Sequence, residues 1–306
     1  MAQTDNEEDT LDLFQEPEGY YKEREKPADV THRTLSGEIL QLHLSSQNPL
    51  WGHLLWQGGR TIADYLEMNR AQYVQDKTVL ELGAGAGLPS LICAINGAKQ
   101  VVVTDYPDAE LIDNLRANIR DCSLLPENAS NLAATGYIWG GDSSDLTSYL
   151  EPGQRSLGFD LVILADLLFN HSEHGKLLQS IRRTLKRSKD AQALVFFTPY
   201  RPWLLQKDLA FFDLARDDGF VVEKILEKQM DKVMFEEDPG VSIRFLYVRC
   251  TCPDLVNFRM RPFGGLYSVI EFDGETLPLR MPDGSRPLWT GSRRESDRTL
   301  MMHFVH

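Results

Sequence analysis

The sequence predicts an α/β protein built on a seven-stranded, doubly wound sheet that ends in an antiparallel hairpin. Three features of the 306-residue chain carry this prediction. Strand-like and helix-like segments alternate from residue 78 onward, which is typical of a parallel sheet covered by helices on both faces. A glycine-rich turn at residues 83–87 follows the first of these strands. The last two strand-like segments are joined by an acidic loop without room for a helix, which favours a hairpin.

Three segments precede the alternating region. Residues 1–33 are acidic and then mixed in charge, with few apolar residues, so this segment is expected to be flexible. Residues 34–43 alternate between polar and apolar side chains, which suggests a strand or a hairpin arm. Residues 59–73 have helical spacing, and the residues expected on the buried side are Ile62, Ala63, Leu66 and Tyr73.

The alternating region contains five predicted parallel strands, at residues 78–82, 100–104, 134–139, 159–165 and 192–198. The hairpin is predicted at residues 220–226 and 241–249. The intervening helices are predicted at residues 88–96, 107–121, 172–187 and 202–217. The main domain is therefore expected to span residues 34–250. Residues 251–306 are rich in Pro, Gly and Arg and are expected to form an irregular tail with one short strand at 266–272.

Composition limits the partners and the compartment. The formal net charge of −13 argues against direct nucleic-acid binding, because phosphate contacts draw on clustered Lys and Arg. An acidic surface suits a basic protein substrate, but it is also common where only solubility is needed. The sequence contains no secretory signal and no run near the roughly 18 apolar residues of a membrane span. Its four cysteines form neither a disulfide framework nor a zinc site, so a cytoplasmic protein without a metal is expected.

The glycine-rich turn is the strongest motif. The strand at 78–82 leads into Gly83, Gly85 and Gly87, and glycine is needed where a backbone turns tightly and lies against a ligand. A dinucleotide site would place its third glycine at position 88, where this chain has Leu88. Glu81 completes the pattern E-x-G-x-G-x-G, which resembles motif I of class I S-adenosylmethionine-dependent methyltransferases. The spacing favours a methyltransferase over a dinucleotide binder.

Two strand ends carry candidate cofactor contacts. Ligands of doubly wound sheets bind beyond the carboxyl ends of the strands. The strand at 100–104 ends at Asp105, whose carboxylate could accept both hydroxyls of a ribose or could cap the next helix. The third strand ends at Trp139, whose flat face could border an adenine ring or could belong to the core.

Five segments together resemble the family 16 group of seven-strand protein methyltransferases. They are W-x-G-G before the first helix, E-L-G-A-G-x-G-L-P-S, V-V-V-T-D-Y, Y-x-W-G and D-L-V-I-L-A-D-L-L-F-N, and the resemblance covers residues 11–250. It implies a Rossmann-like fold and S-adenosyl-L-methionine as cofactor. The residues that it implies as cofactor contacts are Trp56, Gly83, Ala84, Gly85, Asp105, Trp139 and Ala165.

The resemblance also implies a reaction. The expected activity is N-methylation of the N-terminal α-amine and/or an adjacent lysine of translation elongation factor 1-alpha. Two alternatives stay open: a small-molecule amine N-methyltransferase of the nicotinamide type, and a non-catalytic module that binds S-adenosylmethionine.

Asp166 and Phe169 are the predicted catalytic residues. Asp166 follows a buried strand and lies at the same sheet edge as the glycine turn. A carboxylate there could hold an incoming amine and stabilise the cation that forms on methylation, or it could be an ordinary helix cap. The wider family has D-x-x-Y at this site, whereas this chain has Phe169 in the last position. Without a hydroxyl, Phe169 could only pack against the substrate or contact a cation through its ring.

Two other groups receive no assigned role from the sequence. His171 and His174 suggest a base or metal pair, but without a third ligand this spacing is more typical of a solvated helix start. Residues 198–203 follow the fifth strand and contain Tyr200, Arg201 and Trp203. These side chains could lie at a substrate entrance, and helix capping and packing explain them equally well.

Overall fold

The computed structural model describes residues 29–46, 52–126, 129–230, 243–251, 269–271 and 299–301. The strands are β1 (Asp29–Arg33), β2 (Ile39–His43), β3 (Thr78–Leu82), β4 (Gln100–Asp105), β5 (Leu132–Gly136), β6 (Leu161–Ala165), β7 (Gln192–Phe197), β8 (Val221–Met230), β9 (Ile243–Thr251), β10 (Val269–Glu271) and β11 (Thr299–Met301). The helices are α1 (Gln57–Met68), α2 (Arg70–Tyr73), α3 (Leu88–Ile95), α4 (Ala109–Asp121), α5 (Ser144–Ser148), α6 (His174–Thr184) and α7 (Leu205–Asp217). Short 3₁₀ turns at His171–Glu173 and Pro202–Leu204 precede α6 and α7.

The central sheet has seven strands in the order β5-β4-β3-β6-β7-β9-β8. The first five are parallel, and β9 pairs antiparallel with both β7 and β8. The predicted seven-stranded α/β sheet with a terminal antiparallel hairpin is therefore confirmed. The strand order reverses beside β3, so the turn after β3 lies at the switch point where doubly wound sheets bind ligands.

Helices cover both faces of this sheet, each over its own apolar cluster. Alternate strand residues such as Val79 and Ile163 pack on one face with α1, α3 and α4. Their neighbours Leu80 and Val162 pack on the other face with α6 and α7. Because successive side chains of a strand point to opposite faces, a strand buried on both faces is apolar at nearly every position. This explains why β6 is apolar throughout and why β3 is apolar at Val79, Leu80 and Leu82.

The segment before the sheet is a hairpin followed by a broken helix. β1 pairs antiparallel with β2, so the folded part of the chain includes residues ahead of the domain start expected at residue 34. The predicted helix over 59–73 is split into α1 and α2 at Asn69. The side-chain amide of Asn69 and its backbone N–H both donate to the carbonyl of Tyr65, at 2.8 and 3.0 Å, where α1 ends.

The third parallel strand lies earlier than predicted, at Leu132–Gly136 rather than 134–139. The last pair of residues in the β4–β5 register is Asp105 and Gly136. Tyr137 and Trp139 follow the strand and pack into the apolar cluster beneath the sheet edge, so their apolar character reflects this packing. The short helix α5 was not predicted. The other predicted strands and helices are present with small shifts at their ends.

Two sequence predictions lie largely outside the described residues. The flexible segment was predicted over residues 1–33, of which 1–28 are not described. In the predicted irregular tail, β10 lies within the expected strand at 266–272 and pairs with β11. Within the described part of the chain, no helix has the length and apolar character needed to cross a membrane.

Candidate functional site

The turn after β3 is built on glycines in the left-handed conformation. The φ angles are +58° at both Gly83 and Gly85 and +75° at Gly87. The N–H of Ala84 donates to the carbonyl of Thr104 in β4 at 3.0 Å, which ties the turn to the neighbouring strand. Other residues rarely adopt a positive φ, so the turn depends on glycine at these positions.

The space around the turn differs between its two ends. A Cβ atom at Gly83 would lie 2.8 Å from Leu167 Cδ2 and 3.0 Å from Trp139 Cζ2. A Cβ atom at Gly85 would have no protein atom within 4 Å. The Trp139 ring therefore lies against the start of the turn, and open space lies over Gly85.

The carboxylate of Asp105 faces the glycine turn. Its Oδ2 accepts the N–H of Gly85 at 2.7 Å, and its Oδ1 accepts the N–H of Tyr106 at 2.7 Å. Burial raises the pKa of Asp105 above its ordinary value, while these two N–H donors oppose the shift. The helix-cap alternative for Asp105 is wrong, because the N-cap of α4 is Asp108, whose side chain accepts from the first turn.

A second carboxyl group, Glu81, lies beneath the turn. It is only 1% exposed, and its Oε2 accepts the backbone N–H of Ser90 at 2.9 Å as well as the Ser90 hydroxyl. These bonds join β3 to the first turn of α3, so they connect the residues on the two sides of the glycine turn. Burial raises the pKa of Glu81 to about 8, and the Ser90 donors oppose this shift.

Glu81 should make the stability of the protein depend on pH. Its pKa rises from 4.5 to about 8 on folding, so folding favours the protonated form. Protonated Glu81 therefore stabilises the folded state relative to ionised Glu81. This contribution to the free energy of unfolding is fully present below pH 4.5 and is lost as the pH rises toward 8. Urea unfolding of the Glu81→Gln variant should therefore show a gain in stability relative to wild type across this interval. The exposed Glu38→Gln variant is the control, and parallel pH profiles for wild type and Glu81→Gln would contradict the assignment.

Asp166 lies at the end of β6, with its carboxylate in contact with the start of α1. Its Oδ2 accepts the N–H of Gly58 at 2.6 Å, and its Oδ1 accepts the N–H of Thr198 at 2.6 Å. The hydroxyl of Tyr200 lies 3.4 Å from Oδ2. Asp166 has a positive φ of 55°, which is uncommon for a residue other than glycine and often marks a functional position. Burial raises its pKa to about 6.

Trp56 and Ala165 are two more predicted cofactor contacts near this end of β6. Trp56 is the residue immediately before α1, and its ring meets Tyr200 edge to face, with 5.1 Å between ring centroids. Ala165 is the last residue of β6 and packs partly buried against the apolar cluster on the α1 face. The predicted residues thus form two adjoining groups, one at the glycine turn and one where α1 meets β6.

Phe169 lies at the exposed rim of the same edge. Its side chain is 40% exposed, and its carbonyl accepts a hydrogen bond from Nη2 of Arg201 at 3.2 Å. His171 pairs through Nε2 with Oδ1 of the buried Asp208 at 2.6 Å, and His174 Nε2 lies 2.8 Å from the carbonyl of Leu168. Both histidines therefore have protein partners. Within the described ranges, no group of three or more His, Cys, Asp or Glu side chains could hold a metal.

Sequence reasoning gave no role to two parts of this site. Gly58 lies within the W-x-G-G motif, but its contact with Asp166 spans 108 positions in the chain, which a motif cannot reveal. Tyr200 stood out only as one of several aromatics after β7. The signal that could have found it is the convergence of β6 and β7 at one edge, since neighbouring parallel strands place the residues after them close together.

Comparison with known proteins identifies similar sequences. A sequence profile for a family described as lysine methyltransferase matches residues 35–217. A protein N-terminal and lysine N-methyltransferase of Neurospora crassa is 48% identical over 232 residues, which cover 74% of this chain and 82% of that protein. Proteins of the same description from Emericella nidulans and Schizosaccharomyces pombe are 46% and 43% identical. Their alignments cover 76% and 77% of this chain and 90% and 92% of the relatives.

Proposed function

Since this chain belongs to the lysine methyltransferase family, we propose that it methylates the N-terminal α-amine and/or an adjacent lysine of translation elongation factor 1-alpha. It is a protein methyltransferase that depends on S-adenosyl-L-methionine. The observation that carries the proposal is the glycine turn, with open space over Gly85 and with Asp105 and Trp139 beside it.

The residues at the turn fit the chemistry of this methyl donor. A ribose offers two hydroxyl donors, and Asp105 offers carboxylate oxygens at the border of the open space. An adenine ring is flat and largely apolar on its faces, and the half-buried Trp139 provides a matching surface. We propose that the donor is held by Trp56, Gly83, Ala84, Gly85, Asp105, Trp139 and Ala165.

The acceptor nitrogen must reach the site as a neutral amine. An α-amine has an ordinary pKa of about 7.7–8.0 and is substantially neutral near pH 7.5, whereas a lysine at about 10.4 must lose its proton on binding. When bound, S-adenosyl-L-methionine supplies a methyl group on a sulfonium. The nitrogen lone pair forms the new N–C bond as the S–C bond breaks, the bonding pair stays on sulfur, and the nitrogen then releases a proton to water.

We propose that Asp166 and Phe169 are the catalytic residues and that they interact with the amine that accepts the methyl group. The Asp166 carboxylate is only 7% exposed and is held by two backbone N–H groups, so its charge has a fixed position. A fixed negative charge stabilises the positive charge that develops on the nitrogen without reorganising during the reaction. Phe169 presents an exposed ring at the same edge, where it could contact an alkyl-ammonium group.

Two further features support a protein substrate in the cytoplasm. The relatives are described as acting on protein N-termini and lysines, both of which are cationic groups before deprotonation. The chain carries a formal net charge of −13, which favours encounter with a basic protein. A translation factor as substrate would place the enzyme in the cytoplasm.

The proposal is tested by incubating the purified protein with labelled S-adenosyl-L-methionine and unmethylated elongation factor 1-alpha. Peptide mass spectrometry should show added methyl groups at the N-terminal residue or a nearby lysine. A parallel reaction with whole-cell lysate and one with nicotinamide test the other acceptors. Labelling of a different protein, or of nicotinamide alone, would overturn the substrate assignment.

A further inference from the structure

Tyr200 connects the two sides of the candidate site, although its place in the sequence predicts no role for it. It lies in the short loop between β7 and the 3₁₀ turn at Pro202–Leu204, and it is half-buried. Its hydroxyl lies 3.4 Å from Oδ2 of Asp166, the same oxygen that accepts the N–H of Gly58. Its ring packs edge to face on Trp56 at 5.1 Å. One side chain therefore contacts the residue expected to touch the donor and the carboxylate expected to serve the acceptor.

We propose that Tyr200 is a positioning residue for methyl transfer, which fixes Trp56 and the Asp166 carboxylate relative to each other. This inference rests on the proposed function only in that it assumes methyl transfer to a protein amine at this edge. It needs no particular protein as substrate.

The chemistry of the phenol suits this role. Burial and the neighbouring Asp166 raise the pKa of Tyr200 well above its ordinary value, so the hydroxyl keeps its proton and can donate to the carboxylate. The hydroxyl oxygen also accepts a hydrogen bond from the backbone N–H of Gln57, the first residue of α1, and this opposes part of the pKa shift. The phenol thus joins the start of α1, the end of β6 and the loop after β7.

The geometry around Asp166 explains why such a support matters. A carboxylate that is taken out of water is stable as an ion only when donors surround it. Here the donors are the backbone N–H groups of Gly58 and Thr198 and the side-chain hydroxyls of Thr198 and Tyr200. Phe169, at the exposed rim of the same edge, has no hydroxyl to donate.

The test compares Tyr200→Phe with the matched change Tyr149→Phe, an exposed tyrosine that follows α5. Both variants lose only a hydroxyl. Rates are measured on whichever protein the wild type labels in lysate or on elongation factor 1-alpha. We expect kcat of Tyr200→Phe to fall about tenfold, the effect of one hydrogen bond to a charged group, while KM for the protein changes little. Tyr149→Phe should match the wild type.

Further measurements separate positioning from simple structural support. Thermal unfolding of Tyr200→Phe should stay close to that of the wild type, and Tyr200→His, which keeps a ring and an N–H donor, should recover part of the lost kcat. A kcat within twofold of Tyr149→Phe would overturn the role of Tyr200. So would a loss of kcat that is fully explained by unfolding and not relieved in Tyr200→His. Labelling of a protein other than elongation factor 1-alpha would reject only the substrate, and a wild type that labels no protein would reject both proposals.

Discussion

Replacing Asp105 by asparagine should weaken the binding of S-adenosyl-L-methionine by about 100-fold, because hydrogen bonds to a charged group contribute about 1.5–3 kcal/mol each. The two carboxylate oxygens of Asp105 each accept a backbone N–H, from Gly85 and from Tyr106. An asparagine side chain has one oxygen and one NH₂ group, so its NH₂ would face one of these donors. The substitution therefore disturbs the glycine turn and also removes an acceptor for the ribose.

Isothermal calorimetry of the purified variant measures this loss. Asp113→Asn is the matched control, since Asp113 is a largely exposed aspartate on α4 and undergoes the same chemical change. Its affinity for the donor should equal that of the wild type. If Asp105→Asn binds the donor as tightly as Asp113→Asn does, Asp105 does not hold the ribose.

Replacing Gly58 by alanine should impair both folding and catalysis. A Cβ atom at this position would lie 2.6 Å from Cγ and Oδ2 of Asp166. The carboxylate cannot move aside freely, because Thr198 holds its other oxygen at 2.6 Å. We expect the free energy of unfolding to fall by about 1–3 kcal/mol, which is typical of overpacking. Displacement of the Asp166 carboxylate should lower kcat by roughly 10-fold to 100-fold.

Gly59 provides the control for this substitution. It is the next residue of the same helical turn, it is also buried, and a Cβ atom there would meet no atom within 4 Å. Gly59→Ala should leave kcat unchanged and should stabilise the protein by up to about 1 kcal/mol, since alanine favours a helix over glycine. Urea unfolding and steady-state kinetics of the two variants give the comparison. If Gly58→Ala and Gly59→Ala have the same free energy of unfolding and the same kcat, the contact between Gly58 and Asp166 affects neither stability nor catalysis.

The fold was predictable because its signals are local. β6 is a continuous apolar run and β3 is apolar at three of its five positions, and the glycine pattern after β3 indicates where the first turn lies. Asp105 was also within reach, since a carboxylate at the end of the next parallel strand must lie beside that turn. The third strand was misplaced because Tyr137 and Trp139 are apolar for packing at the sheet edge, which a sequence pattern does not distinguish from strand burial.

The surroundings of Asp166 were harder to predict because its contacts join distant parts of the chain. Asp166 was a candidate from the sequence, but its partners Gly58 and Thr198 lie 108 and 32 positions away. Whether a carboxylate at a strand end faces a substrate or caps a helix depends on what packs against it. In this protein Asp166 binds the first turn of α1, a helix far from it in sequence, and Tyr200 reaches it from the loop after β7.

We propose that the methyl donor lies over the glycine turn, between Asp105 and Trp139. A crystal structure of the protein with S-adenosylhomocysteine, the product form of the donor, tests this placement. We expect both ribose hydroxyls within hydrogen-bonding distance of the Asp105 carboxylate and the adenine ring against the indole of Trp139. Density for the ligand elsewhere, with the space over Gly85 filled only by water, would contradict it.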